Sequence, residues 1–384
     1  MPDLSRRALN LPRSGIREIM ERASAHDDVI HLEVGEPSFR TPQHIIDSAF
    51  AAASAGFTRY TSNYGIPTLR QAIADRYTSK WDVNVHPSQT LVTAGGVNAI
   101  AVTTYAIIEP GDEMLIPDPG WPNYVSIAML GSGVPVPYPL HPANSYLPDI
   151  EDLEKLVTPR TRILIINNPS NPTGVVFPRE TVQAIIDFAN RHDLYVISDE
   201  IYEELVFDGV HIPAATLDTQ KRVITISGFS KTYAMTGWRL GYAIGPESVV
   251  SVAGKLMEPL VSCASSVSQK AGEAALTGPQ DAVDEMRQAY RRRRDLACEL
   301  LEPRGLLPVA PSGAFYAMID PQLPAQSGRD IALSLIDSHR VAVAPGPTFG
   351  SVSNGMIRVS LASADDDIDV GCRRIIEFVA SQST

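Results

Sequence analysis

The chain has 384 residues, 44% of them hydrophobic and 20% charged, with a net charge of −12. That length and apolar content suffice for a large core and two lobes, while the acidic balance argues against nucleic acid or an anionic membrane as a partner. Three widely spaced cysteines (Cys263, Cys298, Cys372) give no disulfide framework or CxxC pattern, and the eight histidines show no ligand spacing, so a cytoplasmic setting and no catalytic metal are expected.

The first residues, Met-Pro-Asp-Leu-Ser-Arg-Arg, lack an apolar signal core. Residues 1–34 read as an arm and a short helix, with Ser14 as its start and Ile16, Ile19 and Met20 on one side. Ile16 either packs as an ordinary helix residue or borders a pocket. In Val34-Gly35-Glu36-Pro37, Gly35 permits close backbone approach to a ligand, or simply makes a turn. The loop Arg59–Gly65, with Tyr60 in it, gathers hydroxyls and aromatics before a helix over 67–77. In loops such residues serve sites or interfaces more often than cores.

From about residue 90 apolar strands alternate with helices. Strands are predicted at 90–93, 113–117, 133–138, 162–167, 194–199, 222–227 and 240–245, with helices at 97–108 and 179–192 among them. The uncharged run 90–108 approaches membrane-spanning length, but its Thr, Gly and Asn residues fit a buried strand-turn-helix better. The pattern implies an α/β fold with a mainly parallel central sheet covered by helices. In such sheets ligands bind at the carboxyl ends of the strands.

The chemically suggestive residues fall at those ends. Gly95-Gly96-Val97 opens a helix whose unpaired N–H groups suit a phosphate. Trp121, on a Pro/Gly loop, can stack on a flat heterocycle or pack on the surface. Asn171 lies between two Asn-Pro pairs, where cis peptides are possible, and can donate to a phenolate oxygen. Asp199 ends an apolar strand, where a buried carboxylate needs a cation such as a protonated pyridine nitrogen, and Tyr202 can reach the neighbouring ring oxygen. After the strand 222–226, a Gly/Ser turn delivers Lys231, with Arg239 eight residues on. A desolvated lysine forms a Schiff base with an aldehyde, and arginine grips phosphate. Together they suggest pyridoxal phosphate.

Beyond 280 the character changes. In the charged helix 280–302, four successive arginines (291–294) spread around the cylinder, which favours a solvated helix over a docking patch. The segments 313–319, 329–339, 341–344 and 356–361, followed by a last helix started by Asp365–Asp367, make a smaller α+β domain joined by N-terminal residues. Arg358 stands alone in an apolar strand and needs a carboxylate, from an internal salt bridge or a substrate.

Asn171-Pro-Thr-Gly174, Asp199-x-x-Tyr202, Ser230-Lys231 and Arg239, in this order, resemble the fold-type I PLP enzymes, specifically class I/II aminotransferases. They closely resemble the branch containing bacterial aspartate, aromatic and prephenate-type aminotransferases. The resemblance runs from Val34 to Arg358 and implies the PLP-dependent transferase fold type I plus a smaller α+β domain. It divides the chain into an N-terminal arm and part of the small domain (1–45), a large PLP-binding domain (46–279) and a C-terminal small domain (280–384). It implies a cytoplasmic homodimer with shared active sites that moves an amino group between an L-amino acid and a 2-oxo acid, ping-pong through pyridoxamine phosphate. A β-eliminating C–S lyase is the alternative on the same fold; a PLP-sensing regulator would need a DNA-binding region for which the length leaves no room.

The implied roles follow the residues. Lys231 holds pyridoxal 5′-phosphate as a Schiff base and shuttles the proton, and Asp199 keeps the ring nitrogen protonated. Tyr202 and Asn171 bond the ring oxygen, and Trp121 stacks on the ring. Gly95, Gly96, Val97 and Arg239 hold the phosphate with Tyr60 of the partner subunit. Arg358, Asn171 and the Gly35 backbone grip the α-carboxylate, and Ile16 borders the substrate. Two positions depart from the family pattern. Gly228 stands where many relatives have a phosphate-binding serine, leaving Ser227 or Ser230 to compensate. Val97 stands where some dicarboxylate-specific relatives have lysine, which tilts the expected substrate towards aromatic or neutral amino acids, with aspartate or glutamate possible.

Overall fold

The structure, a computed structural model, describes residues 3–382. In chain order its strands are β1 (Ile30–His31), β2 (Thr90–Thr93), β3 (Glu113–Asp118), β4 (Val134–Pro139), β5 (Thr161–Asn167), β6 (Tyr195–Asp199), β7 (Val223–Gly228), β8 (Gly241–Ile244), β9 (Tyr316–Ile319), β10 (Val341–Ala342), β11 (Ala344–Pro345) and β12 (Ile357–Ser360). Seven of these form one sheet in the order β2-β8-β7-β6-β5-β3-β4. Neighbours from β7 to β4 run parallel, and β8 is antiparallel to both β2 and β7. The carboxyl ends of β2, β3, β5, β6 and β7 therefore share one edge.

Alternation explains why both faces are covered. Ile163 and Ile165 of β5 join a cluster with Ile197, Ile224 and Ile226, closed by Ala99, Ile100 and Val102 of helix Gly96–Tyr105. Leu164 and Ile166 point the other way, onto Val182, Ile185 and Phe188 of helix Arg179–Arg191. All of these side chains are buried. Burying each of the larger ones is worth about 1.5–3 kcal/mol, and it fixes the register that aligns the strand ends.

A second core joins the two ends of the chain. Ile19, Ala23 and Leu32 pack with Phe315, Ile331, Leu335, Ile357, Ile368 and Ile375. Here β9, β11 and β12 form an antiparallel sheet, while β1 pairs in parallel with β10. The apolar run 341–344 is thus divided between two sheets.

Two local expectations are corrected. The four arginines do not lie on a wholly solvated face: Arg293 and Arg294 are buried. They fall on the inward stripe of helix Asp281–Leu301 with Met286, Tyr290 and Ala297. Their long stems carry the charge out to the rim, where Arg293 meets Asp365 and Ser38, and Arg294 meets Asp208 and the Pro311 carbonyl. Ser14 starts helix Gly15–Ala23 as expected, standing at its N-cap position without a side-chain cap bond. Ile16, Ile19 and Met20 do not share a face, because Ile19 is in the core while Met20 is 42% exposed. Among the described residues no helix is long and apolar enough to cross a membrane.

Candidate active site

The shared edge of the sheet opens into a cavity of about 770 Å³. It is lined by Lys231, Asp199 and Tyr202, and by Asn171, Trp121, Gly96, Val97 and Arg239. Gly35, Ile16 and Arg358 reach it from the chain ends. Gly95 adjoins this wall as the residue before helix Gly96–Tyr105. Tyr60 does not line this chain's cavity and is 89% exposed.

Lys231 follows β7 and donates from Nζ to the Gly35 carbonyl at 2.6 Å. Burial, with help from Arg358 and Arg239, pushes its pKa down to about 8 against the pull of Glu36 and Asp199. Any side chain at Gly35 would drive into the Tyr316 hydroxyl, so a glycine is what brings that carbonyl to the lysine. Asp199 closes β6 and accepts from the Tyr124 hydroxyl at 2.6 Å and from the Ile201 N–H at 3.3 Å. Burial raises its pKa to about 6, partly offset by these two donors. No lysine, arginine or histidine pairs with it among the described residues.

Arg358 sits in β12, buried, with its guanidinium over the rings of Tyr316 at 4.3 Å and Phe349 at 4.7 Å. Nη1 donates to Asn171 Oδ1 at 3.0 Å and Nη2 to the Glu33 carbonyl at 2.5 Å, while Nε is buried without a partner. No carboxylate forms an ion pair with it among the described residues, so of the two expected partners the internal salt bridge is not formed. Burial lowers its pKa from the usual arginine value. An unpaired buried guanidinium is costly, and a carboxylate entering the cavity would relieve that cost bidentately.

At the other end Gly95 has φ +84°, and a Cβ there would lie 2.6 Å from Arg239 Nη2. The glycine lets the helix N-terminus and the guanidinium approach the same point, which is the geometry of an anion cradle. Gly228 is tightly packed: a Cβ there would sit 3.0 Å from Gly241 Cα and 3.1 Å from the Leu240 carbonyl, so a side chain would need its neighbours to give by a few tenths of an ångström. Of the two serines left to compensate, Ser230 lines the cavity, whereas Ser227 does not and its hydroxyl engages Tyr242. Three X-Pro bonds near the site, Asp118-Pro119, Asn168-Pro169 and Asn171-Pro172, are cis.

Several residues escaped the sequence reading. Tyr124 holds Asp199, and the Tyr316 hydroxyl bonds that of Tyr202 at 2.9 Å. Phe349 and Tyr316 sandwich Arg358. Tyr124 stood three positions after Trp121, a helical spacing that puts both on one side, and the two rings meet edge-on at 5.4 Å. Behind Asp199, buried Glu200, Glu203 and His211 come within 4.8 Å of one another although no spacing announced them. Their oxygens are engaged by Ser198, His211, the Ala214 N–H, Tyr77 and Arg76.

A lysine with lowered pKa, a buried acid and an unpaired arginine beneath a doubly wound sheet define an enzyme that handles an amine and a carboxylate together. The family model for aminotransferase class I and II matches residues 27–375, and the chain belongs to that family. The chain is 37% identical over 374 residues to a probable aspartate/prephenate aminotransferase of Thermus aquaticus, covering 97% of this chain and 94% of that protein. It is 38% identical to aromatic-amino-acid aminotransferase 2 of Thermococcus litoralis, covering 94% of each. Among solved structures it matches Thermus thermophilus aspartate aminotransferase with maleate, at TM-score 0.93 and 36% identity over 98% of this chain and 100% of that one. The aromatic aminotransferase from Pyrococcus horikoshii OT3 matches at TM-score 0.90 and 36% identity, over 95% and 99%. The protein is an aminotransferase, acting on amino and 2-oxo acids.

Proposed function

We propose that the cofactor is pyridoxal 5′-phosphate, held in this cavity, and that the amino group moves from an L-amino acid to a 2-oxo acid in two half-reactions. The observation that carries this reading is the convergence on one cavity of Lys231, the buried Asp199 and the unpaired Arg358. When bound, the cofactor supplies an aldehyde for the amine and a ring that withdraws electrons from the substrate α-carbon.

The protein's residues divide the remaining work. Gly95, Gly96, Val97, Ser230 and Arg239 hold the phosphate, with Tyr60 of the partner subunit completing the cradle. Asp199, oriented by Tyr124, faces the ring nitrogen and favours its protonated form. Tyr202 and Asn171 donate to the ring oxygen: Asn171 spends its carbonyl oxygen on Arg358, which leaves its amide hydrogens for this task. Trp121 covers the ring. Arg358 receives the α-carboxylate beside Asn171 and Gly35, and Ile16 shields the entrance. Lys231 Nζ, tethered by Gly35, takes the proton from the substrate α-carbon and returns it.

The same reading divides the chain at 45/46 and 279/280, in line with the separate cores around the main sheet and the chain ends. It places a homodimer in the cytoplasm, consistent with three free cysteines. The deciding experiment is single-turnover absorbance of the cofactor-loaded enzyme with one amino acid and no oxo acid. A stable shift to the amine form of the cofactor, with one equivalent of oxo acid, is expected. Repeated release of oxo acid and ammonia with an unshifted band would instead make it the β-eliminating lyase.

A further inference from the structure

Asp118 ends β3 and is buried, yet it has no task in the reading above. Its neighbours Pro117, Gly120 and Trp121 line the cavity, and Asp118 itself does not. No lysine, arginine or histidine pairs with it among the described residues. A buried carboxylate without a cation is costly, and Asp118 offsets that cost by reaching across to the sheet at the chain ends. Its Oδ2 accepts from the Ser351 N–H at 3.0 Å and from the Ser351 hydroxyl at 2.7 Å, and its Oδ1 from the Val352 N–H at 3.1 Å. Beside these bonds the Gly120 N–H donates to the Phe349 carbonyl at 2.8 Å. The end of β3 is thereby clasped to the segment 349–352.

That segment is the tip of the connection between β11 and β12, whose strands pair Pro345 with Ile357. The base of the connection closes on itself: the Gly346 N–H donates to the Met356 carbonyl at 2.8 Å, and the buried Ser353 hydroxyl to the Gly346 carbonyl at 2.7 Å. Met356 packs into a core of the main sheet with Tyr138 and Tyr146, so apolar burial already seats the base. The tip is left to Asp118. Gly350 has φ +139° there, and a Cβ would fall 2.0 Å from Asp118 Oδ1, so only a glycine lets the backbone come near enough to be held. Phe349, next to it, is buried with its ring 4.7 Å from the Arg358 guanidinium. The Tyr316 ring that also stacks on Arg358 is fixed independently, by β9 pairing with β12 and by its hydroxyl bond to Tyr202. Phe349 has no strand to hold it.

Resting on the aminotransferase reading above, we propose that Asp118 is a positioning residue for the substrate carboxylate: by clasping the tip of the β11–β12 connection it keeps Phe349 stacked on Arg358. A binding group holds its productive geometry only when its own side chain is locked by the packing around it. Arg358 has a buried Nε without a partner and no carboxylate of the protein to anchor it, so its orientation rests on the two rings and on its bonds to Asn171 and the Glu33 carbonyl. Asp118 acts on the substrate only through Phe349 and Arg358. Its loss therefore weakens capture of the carboxylate more than it slows the proton transfer at Lys231.

The test compares cofactor-loaded wild type with Asp118→Ala, Asp118→Asn and Gly350→Ala, the last of which crowds the clasp from its other side. Ser351→Ala removes a single hydroxyl and keeps the test open where the other changes prevent folding. The readouts are equilibrium binding of butyrate, a non-reacting carboxylate, by calorimetry, and KM and kcat for one amino acid. Asp118→Ala and Gly350→Ala are expected to weaken butyrate binding and raise KM about tenfold, Asp118→Asn about fivefold and Ser351→Ala about threefold, with kcat falling less than KM rises and the cofactor absorbance unchanged. In the Arg358→Ala background Asp118→Asn should add less than about twofold to the loss of kcat/KM, because no guanidinium is left to position. Fully additive losses in that background overturn the proposal. So do wild-type butyrate affinity and KM in the variants that fold, and so does a loss of bound cofactor in step with the loss of butyrate, which would make the clasp a support of the fold alone. Failure of the underlying reading is seen separately, as a wild type that converts no amino acid at all.

Discussion

Lys231 is the residue on which most depends. Replacing it with alanine should abolish the absorbance band of the bound cofactor and lower turnover by roughly 10³-fold or more, checked by spectrum and steady-state rate. Its burial also predicts a pH effect on the cofactor-free protein. With a folded pKa of about 8 against the ordinary lysine value of 10.5, the unfolded chain binds the proton more readily between those values. The wild type should therefore gain stability relative to Lys231→Met as pH rises from 8 to about 10.5, and lose that gain on the way down. Thermal melts of both proteins across this range test the sign; parallel curves would contradict the depressed pKa. Arg358→Ala should raise KM for every amino acid, with kcat/KM falling about 100-fold. Equal KM values in wild type and variant would remove Arg358 from the carboxylate site. At this scale the sequence was legible where chemistry restricts the residue type: Lys231, Asp199, Asn171 and Arg358 all line the cavity. It was silent on Tyr124 and Tyr316, whose roles depend on where a hydroxyl lands across the fold rather than on a local motif.

Among the elements, the seven strands of the main sheet were legible to within a residue or two; except for the proline-rich, partly exposed edge strand β4, they are apolar runs buried on both faces, which have few alternatives. Helix Asp281–Leu301 was legible in extent but not in orientation. Four consecutive arginines conceal the inward stripe, which emerges only from the partners that the other segments supply. This has a measurable consequence. Arg294→Ala should cost about 2–3 kcal/mol by denaturant unfolding, since it removes hydrogen bonds to Asp208 and to the Pro311 carbonyl. Arg292→Ala, on the exposed side, should stay within about 0.5 kcal/mol. Equal costs would mean that the helix does not turn this face inward.

For the whole molecule, an exposed tyrosine is informative. Tyr60 is 89% exposed in the single chain, although its assigned role is to complete a phosphate cradle. Sedimentation should therefore give a dimer of the 41.6 kDa chain. Tyr60→Ala should weaken retention of the cofactor about tenfold while leaving the dimer intact; a monomeric enzyme with full cofactor affinity would remove the shared-site arrangement. The sequence alone suggested this only through family resemblance, because nothing local distinguishes a loop tyrosine that meets a second subunit from one that meets water.

The parallel pairing of β1 with β10 joins residues from opposite ends of the chain, and Gly35 and Arg358 stand just beyond that seam. Closing so long a loop is entropically late, and chains fold from the N-terminus as they are synthesised. The strands bearing Asp199 and Lys231 can assemble while the protein is still being made, but the proposed grip on the substrate carboxylate cannot exist until the strand carrying Arg358 has been made. A nascent chain can thus hold the parts of the chemistry without the means to engage a substrate, and activity waits for the segment that carries Arg358.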